Sequence, residues 1–271
     1  DDGRFDHALL AWIRTPWSSY NSAVGATRPA CGDLDGDGRA EIAVGLDAFP
    51  PAGGLVAVFE DAAAGFLFQR WLRIPHTMYN LTNGETRPAL GDIDGDGRDE
   101  LLVGTGTYTP SGGWIAKIDD ASTAYALAGW LRLDWSAYNS ADGGVWVSAG
   151  NLDADARAEI VVGTERYPTD GGRMRIFDDA VAGHVGLAWR KIDWPAYNDA
   201  VGETHPVCGD LDGDGRADIV VGFASFPSHG GNFAVLDDLI GGLSLLGWGR
   251  VQWPDYNDLN GETWPAVGNI R

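Results

Sequence analysis

Short apolar runs separated by turn residues recur along the whole chain. Four kinds of run follow one another, typified by RPACGD (28–33), EIAVGL (41–46), LVAVFED (55–61) and LFQRWLRI (67–74). They contain many β-branched residues, and Gly, Asp and Pro stand between them, which is typical of strands joined by tight turns. Because no segment keeps an apolar period of 3.6 residues, we predict four strands, named A to D, and no long helix.

This group of four runs repeats every 59 residues without an insertion. The stretch TRPACGDLDGDGRAEIAVG starts at Thr27, related stretches start at Thr86, Val145 and Thr204, and TWPAVGNIR starts at Thr263. A fixed step of this kind indicates structurally equivalent units. Four strands in a unit of this length are typical of one blade of a β-propeller, so the predicted fold is all-β.

The number of blades follows from the repeat boundaries. The units 27–85, 86–144, 145–203 and 204–262 are complete, whereas 1–26 and 263–271 supply a spare strand D and a spare strand A. We therefore predict one propeller domain over 1–271, with five blades. Its closing blade would be incomplete, because 5 × 59 = 295 residues would be needed and the chain has 271. A fragment of a larger ring, and completion of the ring by another chain, remain open as alternatives.

The composition narrows the class of protein. Hydrophobic residues make up 44% of the chain, so a sizeable core can form, and 12 Trp, 8 Tyr and 9 Phe argue against disorder. The formal net charge of -20 does not fit a nucleic-acid binder or a basic membrane-surface protein. No apolar run is long enough to span a bilayer as a helix.

Alternate acidic residues occupy the turn between strands A and B. In the first unit they fall at every second position of a turn whose two glycines allow a sharp bend. Hard oxygen ligands held in this way select Ca²⁺, and the backbone carbonyl of the following arginine can add a ligand. The predicted ligands are Asp33, Asp35, Asp37, Arg39 and Glu41; Asp92, Asp94, Asp96, Arg98 and Glu100; Asp153, Asp155 and Glu159; and Asp210, Asp212, Asp214, Arg216 and Asp218.

The third turn departs from this pattern. Asn151 replaces the first Asp, and Ala154 and Ala156 replace both glycines. An alanine at positive φ costs roughly 1 kcal/mol, so we expect three strong calcium sites and a fourth that is weak or absent. An EF-hand loop opens similarly, but its twelfth position is a bidentate Glu, and here that position is a valine such as Val44.

These turns carry a resemblance to a known family. DLDGDGRAEIAVG and its counterparts resemble the FG-GAP repeat, which is also called VCBS-like and occurs in integrin α chains. The resemblance covers nearly the whole chain and implies a calcium-stabilised β-propeller with the ion in the A–B turn. Seven blades are common in that family. It implies no single activity, because the family includes adhesion receptors, lectins and accessory domains of polysaccharide-degrading enzymes.

The two faces of such a propeller would differ in chemistry. Strands alternate in direction, so the A–B and C–D turns share one face and the B–C and D–A turns share the other. The second face combines aromatic rings, which stack on sugars, with Asn and carboxylate groups, which bind hydroxyls. We predict multivalent glycan binding there. The candidate residues are Trp17, Tyr20, Trp135, Tyr138, Trp194, Tyr197, Trp253, Tyr256, Glu85, Glu203 and Glu262.

Several interpretations compete with this one. The repeated Trp and Tyr can instead pack between blades, and the Asn after each Tyr can cap a turn. The five His residues occupy unrelated positions of the repeat and no catalytic motif is present, so we predict no enzyme activity. The predicted protein is a secreted or cell-surface lectin-like propeller. A protein-binding adhesion module and a polysaccharide-active enzyme, or its accessory domain, are the alternatives.

Overall fold

The computed structural model describes residues 9–227 and 229–268, and its regular structure is almost entirely β. Every strand is five or six residues long. A short 3₁₀ turn at Ala121–Thr123 is the one other regular element besides five helices in this part of the chain. The strands are β1 (Thr27–Gly32), β2 (Glu41–Leu46), β3 (Leu55–Phe59), β4 (Phe68–Arg73), β5 (Thr86–Gly91), β6 (Glu100–Thr105), β7 (Trp114–Ile118), β8 (Leu127–Arg132), β9 (Val145–Gly150), β10 (Glu159–Thr164), β11 (Arg173–Phe177), β12 (Gly186–Lys191), β13 (Thr204–Gly209), β14 (Asp218–Phe223), β15 (Asn232–Leu236) and β16 (Leu245–Arg250).

The strands form four antiparallel sheets of four strands, each sheet in chain order. In the first sheet the register runs from Thr27 opposite Leu46 to Gly32 opposite Glu41. The outer pair of each sheet carries a register shift at the same place, as at Val58 and Phe59. Each sheet lies within one 59-residue unit, so the prediction of strands A to D in every complete unit is confirmed.

The hydrophobic core lies between successive sheets. Strands β6, β10 and β14 are buried at every residue. The sheets of β6 and β10 each pack between two other sheets. One core cluster joins Val161 and Met174 of the third sheet to Ile219 and Val221 of the fourth. The inner strands β1, β5, β9 and β13 pack against one another in that order. The sheets are therefore four blades of a β-propeller, which we number 1 to 4.

The prediction of five blades, with seven as the larger alternative, is wrong. No fifth sheet exists in residues 9–227 and 229–268, and the segments 9–16 and 263–268 form no strand. The physical reason is that the chain has no strands B and C for a fifth blade. Strands A and D are the innermost and outermost strands, so without B and C between them they have no partner for backbone hydrogen bonds.

The segment 263–267 nevertheless occupies the place of a next inner strand. Thr263 Oγ1 accepts a hydrogen bond of 2.8 Å from the Phe223 amide, as Thr86 does from Leu46 and Thr204 from Thr164. The side chain of Thr263 is buried. The spare strand A of the sequence analysis thus covers the flank of blade 4, although it is not hydrogen-bonded as a strand.

Short helices fill each D–A segment, which the sequence pattern did not predict. Each has six residues, too few for a repeating apolar face, and within the described residues no helix is long and apolar enough to cross a membrane. Helix α2 ends at Thr82, and two residues later Gly84 adopts a φ of 71°. Gly84 packs so closely on Gly53 that a side chain on either would collide. The helices are α1 (Ser18–Ala23), α2 (Thr77–Thr82), α3 (Ser136–Ala141), α4 (Pro195–Ala200) and α5 (Pro254–Leu259).

Candidate functional site

The acidic A–B turn of blade 2 is folded by its own carboxylates. Asp92 accepts hydrogen bonds from the amides of Gly95, at 2.6 Å, and Gly97, at 3.0 Å. Asp94 accepts from the Asp96 amide at 3.0 Å. Gly95 and Gly97 have φ values of 85° and 89°, which only glycine adopts at little cost. In this turn the acids and the glycines of the repeated motif therefore both support the bend.

The same turn brings carboxylate oxygens to the spacing of a metal site. One oxygen each from Asp92, Asp94 and Asp96 lies within 4.8 Å of the others, and Asp33, Asp35 and Asp37 form the same group in blade 1. Ca²⁺ binds oxygen at 2.3–2.6 Å, so two of its ligands are at most about 5 Å apart. The donors in these two turns therefore fit Ca²⁺ in chemistry and spacing.

A buried carboxylate lies beneath each acidic turn. Glu100 is 2% exposed, and its Oε2 accepts a hydrogen bond of 2.9 Å from the Ile93 amide. Within residues 9–227 and 229–268 its Oε1 has no hydrogen-bond partner, and the same is true of Glu159 Oε1 in blade 3. Burial raises the pKa of Glu41 to about 7, of Glu100 to about 8 and of Glu159 to about 7. Burying a carboxylate oxygen without a partner costs free energy, and a cation or a proton beside that oxygen removes the cost.

The arginines of the turns lie at its exposed rim. Arg39 pairs with Asp37 at 3.1 Å, and Arg157 pairs with Asp155 at 2.6 Å. Arg216 pairs with Asp214 and with Asp238 of the C–D hairpin. These contacts involve the guanidinium groups, which leaves the predicted role of the arginine backbone carbonyls as metal ligands a prediction.

The third turn is also bent, although it lacks the first Asp and both glycines of the other turns. Ala156 has a φ of 76°, the conformation that Gly38, Gly97 and Gly215 have in the other turns. Asp153 still accepts a hydrogen bond of 2.8 Å from the Asp155 amide. Ala156 therefore adopts the strained conformation that the sequence analysis expected, and the prediction of weak calcium binding there stands untested.

On the opposite face, the repeated tyrosines join neighbouring blades. The Tyr79 hydroxyl donates to the Glu85 carbonyl at 2.6 Å and accepts from the Gly106 amide of blade 2 at 2.7 Å. The Tyr197 hydroxyl likewise donates to the Glu203 carbonyl and accepts from the Ala224 amide. These tyrosines have no exposed surface, so they are structural. Of the predicted ligand-binding tyrosines, this applies to Tyr20, Tyr138 and Tyr197, whereas Tyr256 is half-buried.

The asparagine after each tyrosine also has a structural role. Asn80 Nδ2 donates to the Ile74 carbonyl at 2.8 Å, and Asn139 and Asn198 make the same bond in blades 2 and 3. This bond ties the start of each helix region to the end of the preceding strand D. The turn-capping interpretation of the Tyr-Asn pair is the one that the hydrogen bonds support.

Two of the repeated tryptophans, Trp135 and Trp194, occupy clefts between blades. Trp194 stacks on Tyr197 with ring centroids 4.8 Å apart and meets Phe226 and Trp248 of blade 4 edge-on at 5.3 and 5.9 Å. Trp17 and Trp135 are half-buried in the same manner. Trp253 follows blade 4, where no further blade packs on it among the described residues, and it is 60% exposed. We name the clefts by the blades that they separate.

Cleft 3–4 is open and contains both apolar and polar groups. Its cavity of about 330 Å³ has two tryptophans as apolar walls, and Trp248 is 43% exposed. A carboxylate, an imidazole, an amide and a guanidinium surround them. The lining residues are Asp193, Trp194, His229, Asn232, Trp248 and Arg250.

Cleft 1–2 is larger and more apolar. Its cavity of about 520 Å³ has His76 where the other clefts have tryptophan. The imidazole of His76 meets Tyr108 at 5.2 Å and Trp130 at 5.7 Å. The lining residues are Pro75, His76, Thr77, Met78, Tyr108, Ser111, Trp114 and Trp130.

Cleft 2–3 is crossed by an ion pair. Arg175 of β11 donates to both carboxylate oxygens of Asp134, at 2.9 and 2.7 Å. Space for the guanidinium comes from Gly186, where a Cβ would lie 1.5 Å from Arg175 Nη2. One repeat later the corresponding residues are Ala234 and Leu245. A pair of substitutions within one blade therefore distinguishes this cleft from cleft 3–4.

The predicted glutamates lie where the inner strands meet, not in the clefts. Glu85 Oε1 is 2.7 Å from Arg28 and 2.9 Å from Arg87. Glu203 Oε1 is 3.1 Å from Trp146 Nε1 and 2.8 Å from His205 Nε2.

Both carboxylates are therefore already paired, and Glu262 is half-buried beside Asn260. His229, Asn232 and Arg250 were not among the residues predicted for the ligand site. His229 and Asn232 lie in the B–C turn and at the start of β15, where the repeat varies and could have indicated them, whereas the position of Arg250 holds Arg or Lys in every blade.

Comparisons with known proteins support the repeat family and little beyond it. The FG-GAP repeat model matches residues 86–126. No curated protein matches the chain. Solved structures with a similar arrangement include the exotype rhamnogalacturonan lyase YesX, at 15% identity and a TM-score of 0.49 over 82% of this chain and 40% of that one.

Two further solved structures show a similar degree of likeness. They are a rhamnogalacturonan lyase of Bacillus licheniformis (14% identity, TM-score 0.47, 83% of this chain and 51% of that one) and an Agrocybe aegerita lectin (16%, 0.47, 85% and 55%). The chain spans 40% to 55% of the length of these three proteins. Residues 86–126, from β5 to the turn before β8, thus match the FG-GAP repeat model, in a chain whose sheets are arranged as a four-bladed β-propeller.

Proposed function

We propose that this protein is a non-catalytic, calcium-stabilised propeller that binds glycans in the clefts between its blades. The observation that carries the glycan proposal is cleft 3–4, where exposed tryptophan surface stands beside four different hydrogen-bonding groups. A sugar ring presents an apolar face and a rim of hydroxyls, and this mixture of walls and polar anchors is complementary to it. Of the predicted tryptophans, Trp194 lies in this cleft, whereas Trp135 lies in cleft 2–3, and Trp17 and Trp253 lie beside blades 1 and 4 outside the three clefts.

The predicted tyrosines and glutamates are not part of the proposed ligand site. Tyr138 and Tyr197 have no exposed surface, and Glu85 and Glu203 are paired with buried cations or aromatic donors. Trp248, Asn232, His229 and Arg250 take their place in cleft 3–4. The polar contacts are therefore supplied by the B–C turn and the outer strands of blade 4.

The calcium part of the proposal concerns the opposite face. The acidic groups of blades 1 and 2 and the unpartnered oxygens of Glu100 and Glu159 support it. When bound, Ca²⁺ would neutralise several carboxylates that approach one another within one turn. Asp92, Asp94 and Asp96 would hold it in blade 2, and the backbone bonds from Gly95 and Gly97 orient the first of these.

A glycan array followed by calorimetry tests the glycan proposal. The unaltered protein should bind at least one sugar class, and Trp248→Ala should weaken binding in cleft 3–4 about fivefold, since one aromatic stack contributes about 1 kcal/mol. Trp12→Ala is the matched control, because Trp12 is 90% exposed and lines neither open cleft. Failure to bind any sugar on a dense array would discard the lectin-like function in favour of a protein-binding module.

A further inference from the structure

The C–D hairpin carries a second acidic position on the metal-turn face. Each hairpin has a pair of acids: Glu60-Asp61, Asp119-Asp120, Asp178-Asp179 and Asp237-Asp238. The second acid of the pair has a local structural role, because it accepts amide hydrogen bonds that close the hairpin. Asp61 accepts from Ala64 and Asp179 accepts from Ala182, each at 2.7 Å.

The first acid of the pair lies within reach of the metal turn. One carboxylate oxygen each from Asp94, Glu100 and Asp119 lies within 4.8 Å of the others. In blade 1 the corresponding group is Asp35, Glu41 and Glu60. Asp119 is held in place locally, since its Oδ1 accepts a hydrogen bond of 2.9 Å from the Asp120 amide.

The buried glutamate of this group has one carboxylate oxygen that a bound cation would satisfy. Glu100 is 98% buried, and in the part of the chain that the structure describes its Oε1 has no hydrogen-bond partner. The nearby Arg98 donates instead to the Asp35 carbonyl at 3.1 Å and to Asp96 at 3.4 Å. Among the described residues, no arginine, lysine or histidine pairs with Glu100, Glu41, Glu60 or Asp119.

We propose that Glu60 in blade 1 and Asp119 in blade 2 are direct ligands of the bound divalent cation. The ion would then join two hairpins of one blade, the A–B turn between the inner strands and the C–D hairpin between the outer strands. A site with this additional carboxylate has a higher ligand charge, which raises the affinity for Ca²⁺. The inference rests on the proposed calcium binding and adds to it the residues that clamp the ion from the second hairpin.

The double variant Glu60→Gln/Asp119→Asn tests this inference. Calorimetric titration with CaCl₂ should show that two sites of the full-length protein weaken at least tenfold, while the blade 4 site keeps its affinity. Titration with Tb³⁺ should show an additional bound water in the variant, from luminescence lifetimes in H₂O and D₂O, because water replaces the lost carboxylate. Asp255→Asn/Asp258→Asn is the control, since it removes the same charge from the exposed helix α5.

Thermal unfolding separates a ligand from a structural acid. In EDTA the double variant should be as stable as the unaltered protein or more stable, because repulsion among the carboxylates is relieved. In excess CaCl₂ it should be less stable, because it binds fewer ions tightly. A loss of stability in both conditions would overturn the inference and assign these acids a structural role.

The other outcomes are also decisive. Equal calcium affinity of variant and unaltered protein would overturn this inference alone. A weakening that disappears at about 1 M salt, where the screening length is about 3 Å, would mean that the acids act only at a distance, and this too would overturn it. If the unaltered protein bound no calcium, the proposed calcium role would fail together with this inference.

Discussion

The two faces of the propeller use one repeat in opposite ways. On the metal-turn face, blades 1, 2 and 4 have the same Asp-x-Asp-Gly-Asp-Gly bend, and their glycines share φ values between 80° and 89°. On the cleft face, the tyrosine and asparagine contacts are equally uniform, but the residues around each tryptophan differ from blade to blade. The same scaffold therefore produces one open polar cleft, one open apolar cleft and one that is crossed by an ion pair.

This difference separates positions that hold the blades together from positions that are free to vary. A residue whose side chain satisfies backbone groups of two blades cannot change without leaving a buried donor or acceptor unpaired. The side chains of His229 and Asn232 line an open cavity at positions that differ in every blade. Arg250 lines it too, but it also donates to the Gly230 carbonyl at 3.1 Å, as Arg73 and Arg132 do to the equivalent carbonyls. Uniformity among the repeats thus indicates architecture, and variation among them indicates where recognition is set.

Removal of calcium should have the largest effect and should act through the uniform face alone. At a concentration 100-fold above its Kd, each ion stabilises the folded state by about 2.7 kcal/mol, so EDTA should lower the thermal midpoint by about 10 °C or more. Differential scanning calorimetry with and without EDTA measures this. Replacement by Mg²⁺, which prefers stricter octahedral geometry, is the control and should restore little. An unchanged thermal midpoint would show that calcium does not stabilise this face.

Loss of one interblade tyrosine hydroxyl should have the next largest effect. Tyr197→Phe leaves the Ala224 amide and the Glu203 carbonyl without their partner, which costs about 1–3 kcal/mol. Chemical denaturation measures this loss, whereas sugar affinity in cleft 3–4 should stay unchanged. The control is Tyr108→Phe, because the Tyr108 ring lines cleft 1–2 and no hydrogen bond of its hydroxyl is seen in the described part of the chain. Equal losses in the two variants would contradict the structural role of Tyr197.

Sequence reasoning predicted the uniform features of this molecule better than the variable ones. The 59-residue step was sufficient to place sixteen strands, because every copy of the repeat reports the same turns. It could not decide whether Tyr197 or Trp194 faces a ligand, since both recur at fixed positions three residues apart in sequence. Only the burial of Tyr197 between blades and the cavity beside Trp194 distinguish them.

Two other features were beyond a pattern-based analysis. The blade number was wrong because spare end strands indicate a closing blade only if its middle strands are supplied as well. The ion pair across cleft 2–3 depends on Arg175, Gly186 and Asp134, which are up to 52 positions apart in the chain. No local motif connects them, since their relation arises from the packing of blade 3 on the segment that follows blade 2.

Opening cleft 2–3 should add a binding site at a small cost in stability. Arg175→Ala removes the guanidinium that reaches Asp134, and the cleft then resembles cleft 3–4, where alanine occupies that position. Because Asp134 is half exposed, the loss of the pair and of its packing should cost about 1 kcal/mol. Calorimetry should show a higher number of sugars bound per chain. Arg70→Ala, which removes an arginine that contacts Tyr125 away from the clefts, should leave that number unchanged.

One outcome of the Arg175→Ala experiment would contradict the prediction. If the number of bound sugars stayed the same while the cleft 3–4 site remained active, the ion pair would not be what closes cleft 2–3. The reciprocal double variant Ala234→Arg/Leu245→Gly is informative only if Arg175→Ala does add a binding site. In that case it should close cleft 3–4 by the same geometry.

The smallest effect is expected at the one turn that breaks the uniformity of the metal-turn face. Ala156 has a φ of 76°, so Ala156→Gly relieves strain and should raise stability by about 0.5–1 kcal/mol in the absence of calcium. Ala154 does not have a positive φ, although Gly36 and Gly95 at the same position of other turns do. Ala154→Gly therefore gains nothing in the folded state and adds freedom to the unfolded chain, so it should lower stability slightly. Urea unfolding midpoints of the two variants should move in opposite directions, and a shift of both in the same direction would show that backbone strain does not set the third turn apart.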